Sequence, residues 1–474
     1  MHVLVRHSTF KFCLDPSVEQ SRVLARHAGA SRFAYNTNLR LVKHALTAKR
    51  RDESVKVPWS GFDLINAFNG WKKSPAAGRV FAVDANGDAE QVDAGLRWRA
   101  EVCQQVFEEA AVDLGKALQA FSASKKGERK GRKVGFPHAK RKGKCVDSFR
   151  LRNKHPKSGK AAVRVGDGGI SRSLTLPGIG TIRVHDDTRK LRRLIGKGRG
   201  KILFATVSRR AGHWWVSLNI EAADLHPARQ HAPGADDDGG WVGVDRGLHV
   251  FAVAATSDGV EVERIPAPRH HNNGLAKQRR RSRAVTRKQR GSANRRKAAA
   301  RLGKHHEHVR NQRHHFLHQV TNRLTQYPRV AIEDLNIAGM LANRHLARSI
   351  SDAAWSELAR MLGYKQAWRG GHVTMVDRWF PSSKTCSACG DIKPDLTLAD
   401  RTYQCAACGI STDRDFNAAT NLAAWAKAHA ARDPQAAGPE TNARRQKGSG
   451  RRSRDDETSL DEAGTRKHHA ADAA

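Results

Sequence analysis

Apolar and polar side chains alternate from residue 3 to residue 14, through Val3 and Val5 and then Phe10, Phe12 and Leu14. That is a strand pattern, and Asp15-Pro16 ends it. Pro16 then opens a predicted helix with Glu19 and Gln20 in its first turn and Leu24, Ala28, Leu39 and Leu46 as its apolar positions. A second predicted helix covers about 96–121, where Val102, Val106, Ala110, Leu114 and Leu118 recur every four residues. The pattern returns to strands at 162–165, 174–176, 181–184, 202–208 and 214–220, the last two joined as a hairpin across 209–213. These strands predict a small β-barrel or sheet that includes the N-terminal strand and accepts the helical region as an insertion.

Residues 221–240 are polar, contain Pro227 and Pro233 and end in Asp-Asp-Asp-Gly-Gly, which reads as a linker. A second set of strands follows at 241–245, 249–255 and 260–265, with Ser257-Asp258-Gly259 as the turn between the last two. A long helical pattern then runs over 275–327, a short buried strand over 329–335, a helix over 352–368 and a strand over 373–376. Three antiparallel strands, a helix, a strand, a helix and a strand form the RNase H-like order, so the chain is expected to be a multidomain α+β protein. Beyond about residue 430 no apolar period is left, and 431–474 is expected to be disordered.

The charge decides the class of partner. Across 474 residues, 85 Lys and Arg stand against 46 Asp and Glu, a formal charge of +39, so the expected partner is a polyanion, nucleic acid ahead of membrane. Two stretches concentrate it: 125–160 has fifteen Lys or Arg with Phe136 and Phe149 interleaved, and 277–313 has fifteen with Glu307 as the one acid. A helix so charged repels itself unless phosphates lie beside it. The six histidines of 305–318 are mixed with arginines that disfavour a cation, so they are not expected to be ligands. No apolar run approaches the roughly 18 residues that span a bilayer, the start has no signal-peptide core, and an intracellular, cytoplasmic location is expected. Cys13, Cys103 and Cys145 stand alone and read as small apolar fillers.

Four other cysteines form two Cys-x-x-Cys pairs, Cys386/Cys389 and Cys405/Cys408, separated by fifteen residues. That spacing fits a zinc ribbon, with Gly390 and Gly409 closing each knuckle. Thioredoxin-like redox pairs share the Cys-x-x-Cys unit, but no βαβ context surrounds either one. Four thiolates leave Zn²⁺ no open position, so the ion is expected to be structural.

Three acidic positions draw the remaining chemistry together. Asp245 interrupts an apolar strand just before Gly247, Glu333 ends another strand, and either Asp413 or Asp415 stands where a helix begins. Convergence of such acids at one sheet edge would supply hard oxygen ligands for Mg²⁺ or Mn²⁺, the arrangement that cleaves phosphodiesters.

In order along the chain, GVDRG, IEDLNIAGM, FPSSKTCSACG with its second Cys-x-x-Cys, and DRDFNAATNL resemble the TnpB family of transposon-encoded RNA-guided DNA endonucleases, relatives of the compact type V CRISPR nucleases. The resemblance extends upstream to the basic helix, Phe136-Pro137, Ser148-Phe149-Arg150 and the Leu14 to Gln20 region. It implies a RuvC-like nuclease domain over 236–430 with catalytic, Mg²⁺-binding Asp245, Glu333 and Asp415. Asp415 is chosen over Asp413 because the family's acid follows Arg and precedes x-Asn-Ala-Ala. A zinc ribbon at 380–411 would be inserted in that domain, and 1–235 would form a wedge barrel with a helical recognition lobe at about 16–140. A guide RNA and a target DNA are the implied partners, with base pairing selecting sequence. Arg246 departs from the family's usual apolar residue. The competing readings are a CRISPR effector of the same chemistry and a zinc-ribbon regulator that binds nucleic acid without cutting.

Overall fold

The computed structural model describes residues 6–430 except 84–86, 130–131, 155–158, 168, 223–229, 232–239 and 398. The expected tail and most of the expected linker lie outside the described residues.

The N-terminal half begins with β1 (Arg6–Asp15) and α1 (Val18–Lys49). Ser17 rather than Pro16 caps the helix: its hydroxyl accepts from the Gln20 N–H, and its own N–H donates to Gln20 Oε1, a capping box. Then follow α2 (Gly61–Trp71), the hairpin β2 (Arg79–Val83) and β3 (Ala89–Ala94), and α3 (Gln104–Lys125). The second expected helix therefore begins later than its apolar period suggested, because 97–101 is a 3-10 turn and Val102 is extended at φ −129°. Strands β4 (Ser148–Arg152), β5 (Arg164–Val165), β6 (Ser173–Leu176) and β7 (Gly180–Val184), helix α4 (Arg189–Gly196), and strands β8 (Gly200–Arg210) and β9 (His213–Ala222) complete this half.

These strands form a seven-stranded sheet in the order β4-β8-β9-β1-β7-β6-β5. The N-terminal strand is thus in its middle, paired antiparallel to β9 and β7, and the helices α1 to α3 are inserted between β1 and β4. The expected hairpin is present, and Ala211 (φ 49°) and Gly212 (φ 86°) make its two-residue turn, both in the left-handed region such turns require. Sheet and helices share one core in which Phe12, Leu24, Leu39, Leu114, Val207 and Leu218 are buried together.

The second half starts with β10 (Val242–Asp245), β11 (Val250–Thr256) and β12 (Glu261–Pro266). Two helices replace the single long one expected: α5 (His270–Thr286) and α6 (Ala293–Leu324), broken where Gly291 takes φ 85° and Ser292 caps α6. Arg295 turns back from α6 and donates to the carbonyls of Val285 and Lys288, satisfying the end of α5. Buried His305 meets the Gly274 carbonyl at 3.1 Å, so it ties the two helices together. Next come β13 (Arg329–Glu333), α7 (Ile337–Met340), α8 (Ala347–Ala353), α9 (Trp355–Arg369) and β14 (His372–Val376). Ala354, at φ 52°, separates α8 from α9 where one helix was expected. The short strands β15 (Thr402–Gln404) and β16 (Ser411–Asp413) and helix α10 (Arg414–Ala430) end the described chain.

The second sheet has the order β12-β11-β10-β13-β14, with β10, β13 and β14 parallel and the first three antiparallel. Val242, Val244, Val330 and Ile332 point to one face, where α6 and α9 bury them with Leu317, Leu358 and Met361. Trp241 and Ala331 point to the other face and pack with Leu422, Ala423 and Ala426 of α10. No helix among the described residues is long and apolar enough to cross a membrane.

Candidate metal centre and acidic strand edge

The alternation that sorts the apolar residues also sorts the acids. With 242 and 244 on the α6 face, Gly243 and Asp245 fall on the α10 face, and with Ala331 on the α10 face Glu333 falls there too. β10 and β13 are parallel neighbours with Val244 opposite Ile332, and Asp245 and Glu333 are the last residues of those two strands. Both acids therefore stand at the same C-terminal edge on the same face.

A glycine brings the third acid over them. A Cβ on Gly243 would lie 2.0 Å from the Ala419 carbonyl oxygen and 2.5 Å from the Ala423 nitrogen, so only glycine lets α10 settle directly on β10. The first turn of α10 then carries Asp415, 9% exposed, to the strand edge, with one oxygen 3.8 Å from where a Gly247 Cβ would sit. Asp413 does different work. It accepts the Phe416 N–H at 2.9 Å as the cap of α10, stands exposed, and pairs with Arg264 at 3.4 Å.

Burial and the two neighbouring carboxylates, Glu333 and Asp415, push the Asp245 carboxyl up to about 8, against a partial pull from Arg414 and Arg246. Asp245 is therefore within electrostatic reach of both other acids. The three carboxylates do not close to within 4.8 Å of one another; among the described residues only the four cysteines do. Like charges repel at such an edge, and each outer acid has another partner: Arg414 holds Asp415 at 3.0 Å, and the Ser382 hydroxyl donates to Glu333 Oε1 at 2.5 Å. In kind, three carboxylates at one edge fit a hard divalent cation. Buried Arg246 donates to the Glu333 carbonyl oxygen at 2.5 Å and so bridges the ends of the two strands.

The four sulfurs meet a sharper geometric test. Cys386 and Cys408 stand 3.6 Å apart, as do Cys389 and Cys405, and all four lie within 4.8 Å of one another. Tetrahedral Zn²⁺ with bonds of about 2.3 Å sets its sulfurs about 3.8 Å apart, whereas a disulfide needs about 2.05 Å. The two knuckles repeat one hydrogen-bond pattern: Cys386 N–H to Asp391 O and Gly390 N–H to Cys386 O, then Cys405 N–H to Ile410 O and Gly409 N–H to Cys405 O. Gly390 and Gly409 supply the positive φ, 81° and 75°. Burial pushes the Cys386 thiol up, but the N–H groups of Cys389 and Ala388 and the other sulfurs outweigh it and bring it down to about 7. The donor set fits zinc.

Three residues outside the expected site link ribbon and acid edge. From α10, Asn417 donates to the Thr385 carbonyl at 2.7 Å and accepts the Ser387 N–H at 2.9 Å. One turn later Asn421 donates to the carbonyls of Ser382 at 2.8 Å and Thr385 at 2.6 Å. Ser382, so held, is the residue that touches Glu333. Two asparagines four apart on an otherwise alanine-rich helix are the trace that could have revealed the clamp.

Residues 229–344 match the family described as "Probable transposase", residues 355–422 the "Cas12f1-like, TNB domain", and residues 1–51 a "Helix-turn-helix domain". The described part of the last region is one strand and one unbroken helix. A protein of Mycobacterium tuberculosis named "Putative RNA-guided DNA endonuclease" is 33% identical over 93% of this chain and 91% of its own length. InsQ of Escherichia coli, named in the same words, is 26% identical over 88% of this chain and 92% of its own. Among solved structures, the Cas12f1 chain of a complex with guide RNA and target DNA aligns with 88% of this chain and 99% of its own, at 14% identity and a TM-score of 0.44. On its likeness to these full-length relatives, the chain belongs to the TnpB family of the IS605 OrfB transposase group.

Proposed function

We propose that this protein is a transposon-encoded, RNA-guided DNA endonuclease that cuts DNA beside a short flanking motif, with Asp245, Glu333 and Asp415 as its catalytic acids. The observation that carries the reading is their shared edge: two acids ending adjacent parallel strands on one face, and a third delivered there by α10 across Gly243. The strand order and the ribbon between β14 and α10 support a RuvC-like domain over 236–430 with the ribbon at 380–411 inserted in it. The seven-stranded sheet with its helical insertion supports a wedge barrel and recognition lobe within 1–235.

In this reading the three carboxylates hold Mg²⁺ or Mn²⁺, which when bound supplies the Lewis-acid charge that activates water and steadies the leaving oxygen of a phosphodiester. The chain's own residues do the rest. Ser382 fixes the Glu333 carboxylate, Arg246 fixes the end of its strand, and Arg414 offsets charge at Asp415. Much of the basic helix pair faces outward, with Arg279, Arg280, Arg283, Arg296, Lys297 and Arg301 exposed, and offers a long cationic surface to phosphates of guide and target.

The test is to purify the protein from cells carrying its own locus, sequence the RNA that comes with it, and programme cleavage with that RNA. Asp245→Ala is expected to abolish Mg²⁺-dependent cleavage and to leave RNA binding almost unchanged. Equal loss of both would make Asp245 a folding residue and remove the reading.

A further inference from the structure

Trp379 is the most exposed large apolar side chain among the described residues, at 85%. A lone exposed apolar residue is ordinary. This one stands on a backbone fixed at both ends. Before it, Arg378 donates to the Asp334 carbonyl at 3.1 Å and to its carboxylate at 2.8 Å, and the Asp377 carboxylate accepts the Trp379 N–H at 2.8 Å. After it, Phe380 packs on Trp425 of α10 with ring centroids 6.3 Å apart, and Ser382 reaches Glu333. The turn is thus stapled to Glu333, which ends β13, and to Asp334 just after it, and the indole is presented to solvent at the rim of the cutting edge.

We propose that Trp379 is a stacking platform for an unpaired base of the DNA strand being cut, next to the phosphate held at the acids. The proposal rests on the nuclease reading of that edge and adds a contact to it. The chemistry favours an uncharged contact here. A free Lys or Arg at this rim would pair with the carboxylates, as Arg414 does with Asp415, and would compete for the oxygens a divalent cation needs. An indole attracts a base without that competition, and every base has a π-face, so the contact tolerates any sequence selected by the guide. Stacking on one face requires the nucleotide to have left the duplex, which makes the substrate at this point a single strand.

The experiment uses the full chain loaded with its co-purified RNA and measures single-turnover cleavage after DNA is bound. Trp379→Ala is expected to slow cleavage roughly tenfold, a stacking-sized loss, with DNA and RNA binding by band shift and the melting temperature unchanged, and Trp379→Phe to recover most of the rate. An abasic nucleotide is then walked through the cut strand. One position near the cut should slow the wild type about as much as Trp379→Ala does and should add nothing in the Trp379→Ala protein. Additive effects at every position, or the same non-additivity appearing with abasic positions in the RNA instead, would overturn the proposal, as would an altered oligomeric state in Trp379→Ala. Wild-type protein that cuts while Trp379→Ala cuts equally fast sinks the stacking role alone. Wild-type protein that cuts nothing sinks the nuclease reading beneath it.

Discussion

Gly243 of β10 lies so close to Ala419 of α10 that a methyl group in place of its hydrogen would meet the Ala419 carbonyl oxygen at 2.0 Å. That oxygen belongs to a helix backbone and cannot swing aside. Gly243→Ala is therefore expected to lift α10, cost about 1–3 kcal/mol in stability, and lower cleavage by about a hundredfold through displacement of Asp415. Gly363→Ala in α9 is the control: nothing lies within 4 Å of its Cβ position, so it should raise stability by about 0.5–1 kcal/mol and leave cleavage alone. Thermal melts and cleavage rates of the two variants check both statements.

The ribbon's own apolar core is Cys386, Leu396, Tyr403 and Cys405 with Ile410 against them, too few residues to hold a fold without a metal. Metal analysis is expected to find one zinc per chain. Chelation, or Cys405→Ser, should unfold the ribbon and lower the melting temperature of the nuclease half, and an unchanged melt after zinc loss would contradict a structural role.

Asn421→Ala would leave the Ser382 carbonyl without its donor and the Thr385 carbonyl with Asn417 as its one remaining side-chain donor, a loss of about 1–3 kcal/mol for a buried polar group. The ribbon loop it releases carries Ser382, so the variant should surrender zinc to a chelator faster and cleave more slowly. Both effects should appear together. A slower cut with an unchanged zinc-release rate would separate the clamp from the ribbon.

His318 gives an acid-side signature. Burial, then the charge of Lys365 and the neighbouring His314, hold its imidazole down to about 4, and Lys365 Nζ bonds the His318 carbonyl at 3.0 Å. A folded value below the unfolded one, about 6.5, means that the folded protein binds fewer protons in that window. The stabilising contribution is present above about pH 6.5 and is lost as the pH falls toward 4. The melting temperature of His318→Gln should fall less over this window than that of the wild type. Zinc-bound thiolates impose the same acid sensitivity on both proteins, so the difference between the two curves isolates the histidine.

The strands of the second sheet were legible because β10, β11 and β13 are buried on both faces and therefore run apolar, which is how Asp245 and Glu333 stood out at the ends of β10 and β13, while the short ribbon strands β15 and β16 went unread. Helix limits were less legible. The apolar period of 275–327 runs straight through Gly291 and Ser292, and only the positive φ of Gly291 and the serine cap divide it. Helix α2 and strand β4 went unread because their buried sides hold only Leu64 and Phe68, and Phe149 and Leu151, which is too little pattern to register. Helix-start chemistry alone left Asp413 and Asp415 open and the family motif chose Asp415; packing adds the physical distinction, since Asp413 caps α10 and Asp415 is the buried acid. Asn417 and Asn421 act across the chain on backbone atoms and Ser382 on a carboxylate 49 residues away, and which partner a polar side chain will meet at such a distance is not written in its own neighbourhood. Arg246 reads as a misfit in a buried strand end, yet its guanidinium bridges to the carbonyl of Glu333.

Helix α10 presents Asp415, buries its alanines on β10 and grips the loop before the knuckles, all within seventeen residues. The ribbon is consequently not a cassette. A chimaera that swaps only 386–408 between relatives keeps the four sulfurs but mates them to a foreign anchor, whereas one spliced ahead of Ser382 and behind Asn421 transfers thiolates, asparagines and acid as one working part.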